Sequence, residues 1–234
     1  MSHNTAEILP INIRMFKHIG SPITLPELVA TTTPKGRTYR TPDGNEYPSI
    51  TTMLGHKEKP HLVAWQQSLG TVKADKEKQR CADRGTAVHE MVEDYLNNVE
   101  NPTKGRAADH VRGFNQLKFK LNKIDNIRMQ EAGLYSDVLR LAGRVDCIGE
   151  YNGVLSVIDF KTSNNNKDVE MIEDYFLQAT AYAIMWHELT SEAITDITIL
   201  MSVEKGMVPL EFRDTIDKYV EPLLMRINEY YRNR

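Results

Sequence analysis

A chain of 234 residues, 41% hydrophobic and 26% charged, has the length and the apolar content to bury a sizeable core in one globular unit. Its formal net charge of −3 excludes a surface coated in positive potential, so any nucleic-acid contact has to come from local clusters. Two cysteines, Cys81 and Cys147, cannot make a four-cysteine zinc or iron-sulfur site, and no apolar run approaches the roughly 20 residues that a membrane helix needs.

Residues 1–36 are rich in Pro, Thr and Gly with little periodicity and read as an irregular arm. Their start lacks the basic, apolar, small-residue order of a signal peptide, so the expectation is a soluble intracellular protein with no membrane contact. Thr38–Arg40 and Asn45–Tyr47 flank a Pro-Asp-Gly turn signal and predict a small hairpin, followed by a helix start at Ser49. Residues 61–70 and 72–97 read as helices, the second through Cys81, Gly85, Val88, Val92 and Leu96, and helical spacing resumes over 106–123.

The period then changes to two. Stretches 127–135, 139–150 and 153–161 read as strands, the last two joined by Asn152-Gly153, a strong two-residue hairpin signal. Helix returns over 169–189, strands over 194–203 and 207–213, and a closing helix over 214–232. The order predicts an α/β fold, a mixed central sheet flanked by helices, with a helical part over 37–125 and a sheet-bearing part over 126–234.

A two-residue turn at Asn152-Gly153 places Asp146 opposite Asp159, and directly opposed side chains lie about 5 Å apart at Cβ. The flanking residues Val145, Cys147, Ile148, Val157, Ile158 and Phe160 mark a buried strand pair, where two unrelieved carboxylates are costly. A shared proton, a protein cation or a divalent metal would each relieve them. Lys161 follows on the same face as Asp159, with Arg144 predicted across from it, so a plain buried ion-pair ladder is the competing reading.

These residues resemble the PD-(D/E)xK nuclease superfamily, in which an acid and a later acid-x-Lys tripeptide occupy adjacent strands; here they are Asp146 and Asp159-Phe160-Lys161. Arg84-Gly85-Thr86-Ala87-Val88-His89 before them and Gln178-Ala179-Thr180-Ala181-Tyr182 after them resemble the signatures of its RecB-like branch. Tyr47-Pro48-Ser49-Ile50-Thr51-Thr52 is similar to the segment that opens the mitochondrial genome maintenance exonucleases and related phage-encoded exonucleases.

The resemblance implies a restriction-endonuclease-like αβββαβ core and a Mg2+- or Mn2+-dependent DNA nuclease; the chain departs from the iron-sulfur members of the RecB-like branch in lacking the cysteines they need, so no iron-sulfur cluster is expected. The resemblance also implies that Asp146, Asp159, the Phe160 carbonyl and His89 bind the metal, with Glu131 as a further acid, and that Lys161 serves the nucleophile or the developing charge. His89 taken alone, beside an apolar stripe, reads as a core residue, and Glu93 one turn on reads as a solvated helix charge. Ser49, Thr51 and Thr52 at a helix start are candidate phosphate donors, Ser49 equally a plain N-cap. Arg84, Gln178 and Tyr182 are candidate DNA contacts, Tyr182 equally a packing residue.

Basic residues from Arg37, Arg40, Lys57, Lys59 and Lys73 to Lys76, Lys78 and Arg80 are candidates to line a groove, with Tyr39, Tyr47 and Trp65 to stack on bases. An exonuclease on single-stranded or terminal DNA is the leading expectation, serving replication, recombination or DNA degradation. A structure-specific endonuclease and a catalytically silent DNA-binding module are the alternatives.

Overall fold

The computed structural model describes residues 15–57 and 60–233, the side chains of 60–62 excepted; Lys59 and the start of the arm lie outside the described residues. Asn152 and Gly153 both have positive φ, 52° and 80°, the left-handed pair that matches the twist of a two-residue hairpin. They join β5 (Leu141–Tyr151) to β6 (Val154–Ser163), and with β4 (Ile124–Ser136), β7 (Asp196–Val203) and β8 (Leu210–Thr215) these form a five-stranded sheet in the order β4-β5-β6-β7-β8. The β6–β7 pair is parallel and the others are antiparallel. A parallel pair needs a crossover, which is α5 (Glu173–Thr190), entered through a short 3-10 turn.

The central strands read as nearly continuous apolar runs because both faces of the sheet are covered. On one face Ile148, Val157, Ile197 and Ile199 meet Phe176 and Trp186 of α5, Leu223 of α6 (Val220–Arg232) and Ile50 of α1 (Ile50–Leu54). On the other, Cys147, Ile158, Phe160 and Leu200 meet Val88, Met91 and Val92 of α3 (Thr71–Leu96) and Phe114 and Leu117 of α4 (Ala108–Leu121). The remaining helix, α2, spans Pro60–Leu69. This is the mixed α/β, restriction-endonuclease-like architecture that the element order predicts. None of the helices among the described residues is long and apolar enough to cross a membrane.

The described part of the arm is more ordered than its composition suggests. β1 (Val29–Thr33) pairs with β2 (Gly36–Arg40), which pairs with β3 (Glu46–Pro48) as the Pro-Asp-Gly signal predicts. The strand β1 is exposed at every position, so no alternation betrays it in the sequence. Gly36 at its turn has a φ of 119°, and an added Cβ would stand 2.4 Å from Thr52 Cγ2, so this approach requires glycine.

Candidate metal centre and active site

Asp146 sits where β5 loses its ladder on both sides. Toward β4, Gln130 pairs with Cys147 and Ala132 with Val145, which leaves Glu131 opposite Asp146 but unpaired, its φ turned to 49°. Toward β6, the predicted register holds from Tyr151–Val154 to Cys147–Ile158 and ends one step before Asp146 and Asp159. The expected face-to-face pairing of those two carboxylates is therefore absent from the ladder. Instead the Phe160 amide donates to Asp146 Oδ2 at 2.8 Å. The Arg144–Lys161 pairing that followed from the same register is also absent from that ladder; on its other side Arg144 pairs with Gly133 of β4, and its side chain reaches toward Glu131 at 4.0 Å.

From α3, His89 places Nδ1 3.8 Å from Asp146 Oδ2, its ring edge-on to Phe160 at 6.3 Å between centroids. Ligand-capable atoms of His89, Glu131 and Asp146 all lie within 4.8 Å of one another. Asp159 is outside that cluster. It is 1% exposed, and Lys161 Nζ grips its two oxygens at 2.6 and 2.5 Å.

The electrostatics follow from this packing. Burial, and then the neighbouring Asp146 charge, push the Glu131 carboxyl up to about 7. Burial also pushes Asp159 up, against the pull of Lys161. The Lys161 ammonium is penalised by burial, but Asp159 and Asp146 outweigh that and hold it above its ordinary range. Three convergent donors, one of them a carboxyl that resists ionising beside another, are a fit for a divalent cation: it would relieve the repulsion that the protein leaves unanswered.

The same cluster lines a cleft of about 600 Å³ with Lys161, Glu93, Arg37 and Arg144. Glu93 thus faces the cleft rather than open solvent. A second, larger trough of about 1280 Å³ adjoins it, with Val63, Trp65 and Leu69 beside Lys57, Lys73 and Lys205. Cys81 in the trough and Gly85 in the cleft are one turn apart on α3, so the two share a wall.

Several expected DNA contacts are turned elsewhere. Arg84 is buried and binds Glu204 and Asn164. Ser49 is the N-cap of α1, with its hydroxyl spent on Thr51 and Thr52. Gln178 and Tyr182 are buried under the sheet, Tyr182 against Gly143. Tyr39 and Tyr47 are buried, and the Tyr47 hydroxyl donates to Asp137 at 2.6 Å, which leaves Trp65 as the accessible aromatic of the three.

Glu204 escaped the sequence reading. It follows β7, receives Arg80 at 2.6 Å and also Arg84, and so ties α3, the His89 helix, to the end of the sheet. Asn164, just beyond β6, joins them by donating to Glu77 at 2.8 Å. The only sequence signal is an acid closing an apolar strand.

A family model described as "PD-(D/E)XK nuclease superfamily" matches residues 103–222, about half of the chain. Among curated proteins, the chain is similar to mitochondrial genome maintenance exonuclease 1 of Mus musculus, 25% identical over 80% of this chain and 59% of that protein. It is also similar to that exonuclease of Homo sapiens, 27% identical over 63% of this chain and 45% of the relative. The chain thus spans less than two thirds of the length of the relatives it matches. The matched segment takes in all five strands of the central sheet, including the two that carry Asp146, Asp159 and Lys161, and the chain belongs to the PD-(D/E)XK nuclease superfamily.

Proposed function

We propose that the protein is a Mg2+- or Mn2+-dependent deoxyribonuclease that hydrolyses phosphodiester bonds as an exonuclease on single-stranded or terminal DNA. The observation that carries this reading is the convergence of His89, Glu131 and Asp146 within 4.8 Å of one another beside Lys161. Two carboxylates and an imidazole suit a divalent ion, the imidazole making Mn2+ more competitive with Mg2+. When bound there, such an ion supplies positive charge to a phosphodiester and to its attacking water.

The chain's own groups do the rest. The Phe160 amide fixes the rotamer of Asp146. Asp159 anchors Lys161, whose ammonium then stands at the cleft to orient the nucleophile or neutralise charge as the phosphorane forms. Asp159 and the Phe160 carbonyl remain candidates for further ligation. For Asp159 this requires Lys161 to give up one of its two contacts. The adjoining trough, with Trp65 among lysines, supports a single-stranded substrate, because exposed bases stack on aromatics while cations follow the backbone. The exonuclease name of the relatives supports action at ends.

The test is digestion of end-labelled linear and of circular single-stranded DNA with Mn2+, Mg2+ or chelator, for wild type and Asp146→Asn. The linear form should disappear only with metal and wild type, while the circle survives. A cut circle would replace the exonuclease with an endonuclease. Binding without cleavage under both metals would leave a non-catalytic DNA-binding module and sink the enzyme reading.

A further inference from the structure

The β1–β2 hairpin delivers to the metal cleft a charge that no carboxylate answers. Arg37 is exposed and lines the cleft with His89, Glu131, Asp146 and Lys161. Its Nε donates to Thr32 Oγ1 at 3.1 Å, and among the described residues its guanidinium makes no ion pair. Of the acids that share the cleft, Glu90 binds Arg106, Glu131 faces Arg144 at 4.0 Å and Asp146 lies 3.8 Å from His89, and none of them pairs with Arg37 among the described residues.

The backbone of Arg37 is held on both sides. Its amide donates to Thr52 Oγ1 at 2.9 Å, and its carbonyl accepts from the Ser49 amide at 2.8 Å and from the Thr52 hydroxyl at 3.3 Å. Ser49 Oγ in turn donates to Thr52 Oγ1 at 2.8 Å. Two of the hydroxyls that in sequence look like phosphate donors, Ser49 and Thr52, are thus spent on positioning Arg37. Gly36 permits the fit, since any side chain there would strike Thr52.

A guanidinium held by its backbone, with most of its donor fork unused, facing a cleft whose other wall is acidic, is organised for an anion that arrives from solution. We infer that Arg37 is a phosphate-binding residue of this cleft, gripping the non-bridging oxygens of a DNA phosphodiester adjacent to the one presented to Asp146. The β1–β2 hairpin is then a substrate-gripping element that the helix-capping segment holds in register. This inference rests on the reading of the chain as a DNA nuclease.

The test is equilibrium binding of a fluorescent single-stranded oligonucleotide, with Ca2+ replacing the catalytic ion, across a range of KCl concentrations. Arg37→Ala should weaken binding about tenfold and flatten the log–log salt dependence by about 0.7, the value of one single-strand phosphate contact. Arg37→Lys should keep the slope and lose only part of the affinity, because it retains the charge without the fork. Lys35→Ala, exposed on the same hairpin but outside the cleft, should leave both nearly unchanged. Should Arg37→Ala fail to fold, Arg37→Lys decides: an affinity unchanged from wild type would contradict the assignment, because a guanidinium fork in use cannot be replaced by an ammonium without loss. If wild type binds and cuts DNA while Arg37→Ala matches it in slope and affinity, only the role of Arg37 falls. If wild type binds no DNA, the nuclease reading falls and this inference with it.

Discussion

Glu131 stands opposite Asp146 across β4 and β5 without pairing to it, its backbone turned to a φ of 49° in the middle of a strand. A left-handed glutamate costs on the order of 1 kcal/mol or more, and it sets one carboxyl against another in a half-buried place. Strain and like charge persist together where something gained elsewhere holds them, and on the proposed function that gain is a set of metal donors.

Glu131→Gln should therefore stabilise the metal-free protein, by on the order of 1 kcal/mol at pH 8, while weakening metal binding at least tenfold. The pH dependence follows from the direction of the shift. The native carboxyl is raised to about 7 from the usual range near 4.5, so folding holds its proton more tightly. That contribution is complete below about 4.5 and is lost as pH rises through about 7. Thermal melts of metal-free wild type should fall across that window more steeply than those of the glutamine variant. Parallel curves would remove Glu131 from the cluster.

Lys161 and Asp159 form a buried pair whose halves cannot be removed singly. Lys161→Met strands a carboxylate that is 1% exposed, at a cost of about 3 kcal/mol. Adding Asp159→Asn should recover most of that stability in urea titrations without recovering DNA cleavage. Recovery of cleavage in the double variant would show that neither group serves the chemistry.

The clamp of Glu204 on Arg80 and Arg84 is expected to be strongly uneven. Glu204→Ala leaves the buried Arg84 without its carboxylate and should cost about 3 kcal/mol, whereas Arg80→Ala, whose side chain is 41% exposed, should cost under about 1. Hydrogen bonds from Arg80 hold Glu77 and Glu204 down to about 2, so their stabilising contribution is present above the ordinary carboxylate range and is lost as pH falls toward 2. Acid titration of wild type and Glu204→Ala should differ in that interval and converge below it.

Gly143 touches Tyr182 closely enough that an alanine Cβ would lie 2.8 Å from its hydroxyl and 2.9 Å from Cε1. Gly143→Ala should cost about 2 kcal/mol in denaturation and lower activity, since it displaces β5 three residues before Asp146. Tyr182→Phe should be mild, because its recorded partner, Gln178 Nε2, is 3.5 Å away.

The sheet was legible because its signals are local: Asn152-Gly153 set the β5–β6 register, and alternation with apolar runs placed the strands to within a few residues. His89 and Asp146, both named by the motifs, lie together with Glu131, while Asp159, the acid of the tripeptide, stands outside the cluster with Lys161. What escaped depended on geometry that no spacing encodes. The left-handed turn at Glu131 and the end of the ladder before Asp159 arise from packing across the strands, so a register extrapolated from the turn to Asp146–Asp159 and Arg144–Lys161 runs past the end of the pairing. Arg84 reads like Arg37 in sequence, and only the fold shows that Glu204 consumes one and leaves the other at the cleft. The exposed strand β1 carries no hydrophobic period at all.

The most direct measurement is Mn2+ titration by calorimetry of wild type, His89→Ala, Glu131→Gln and Asp146→Asn, run beside their nuclease assays. Saturable binding in wild type, weakened at least tenfold in each variant together with loss of DNA cleavage, is the expected result. Unchanged Mn2+ affinity in all three variants, with cleavage intact, would contradict a catalytic metal held by His89, Glu131 and Asp146.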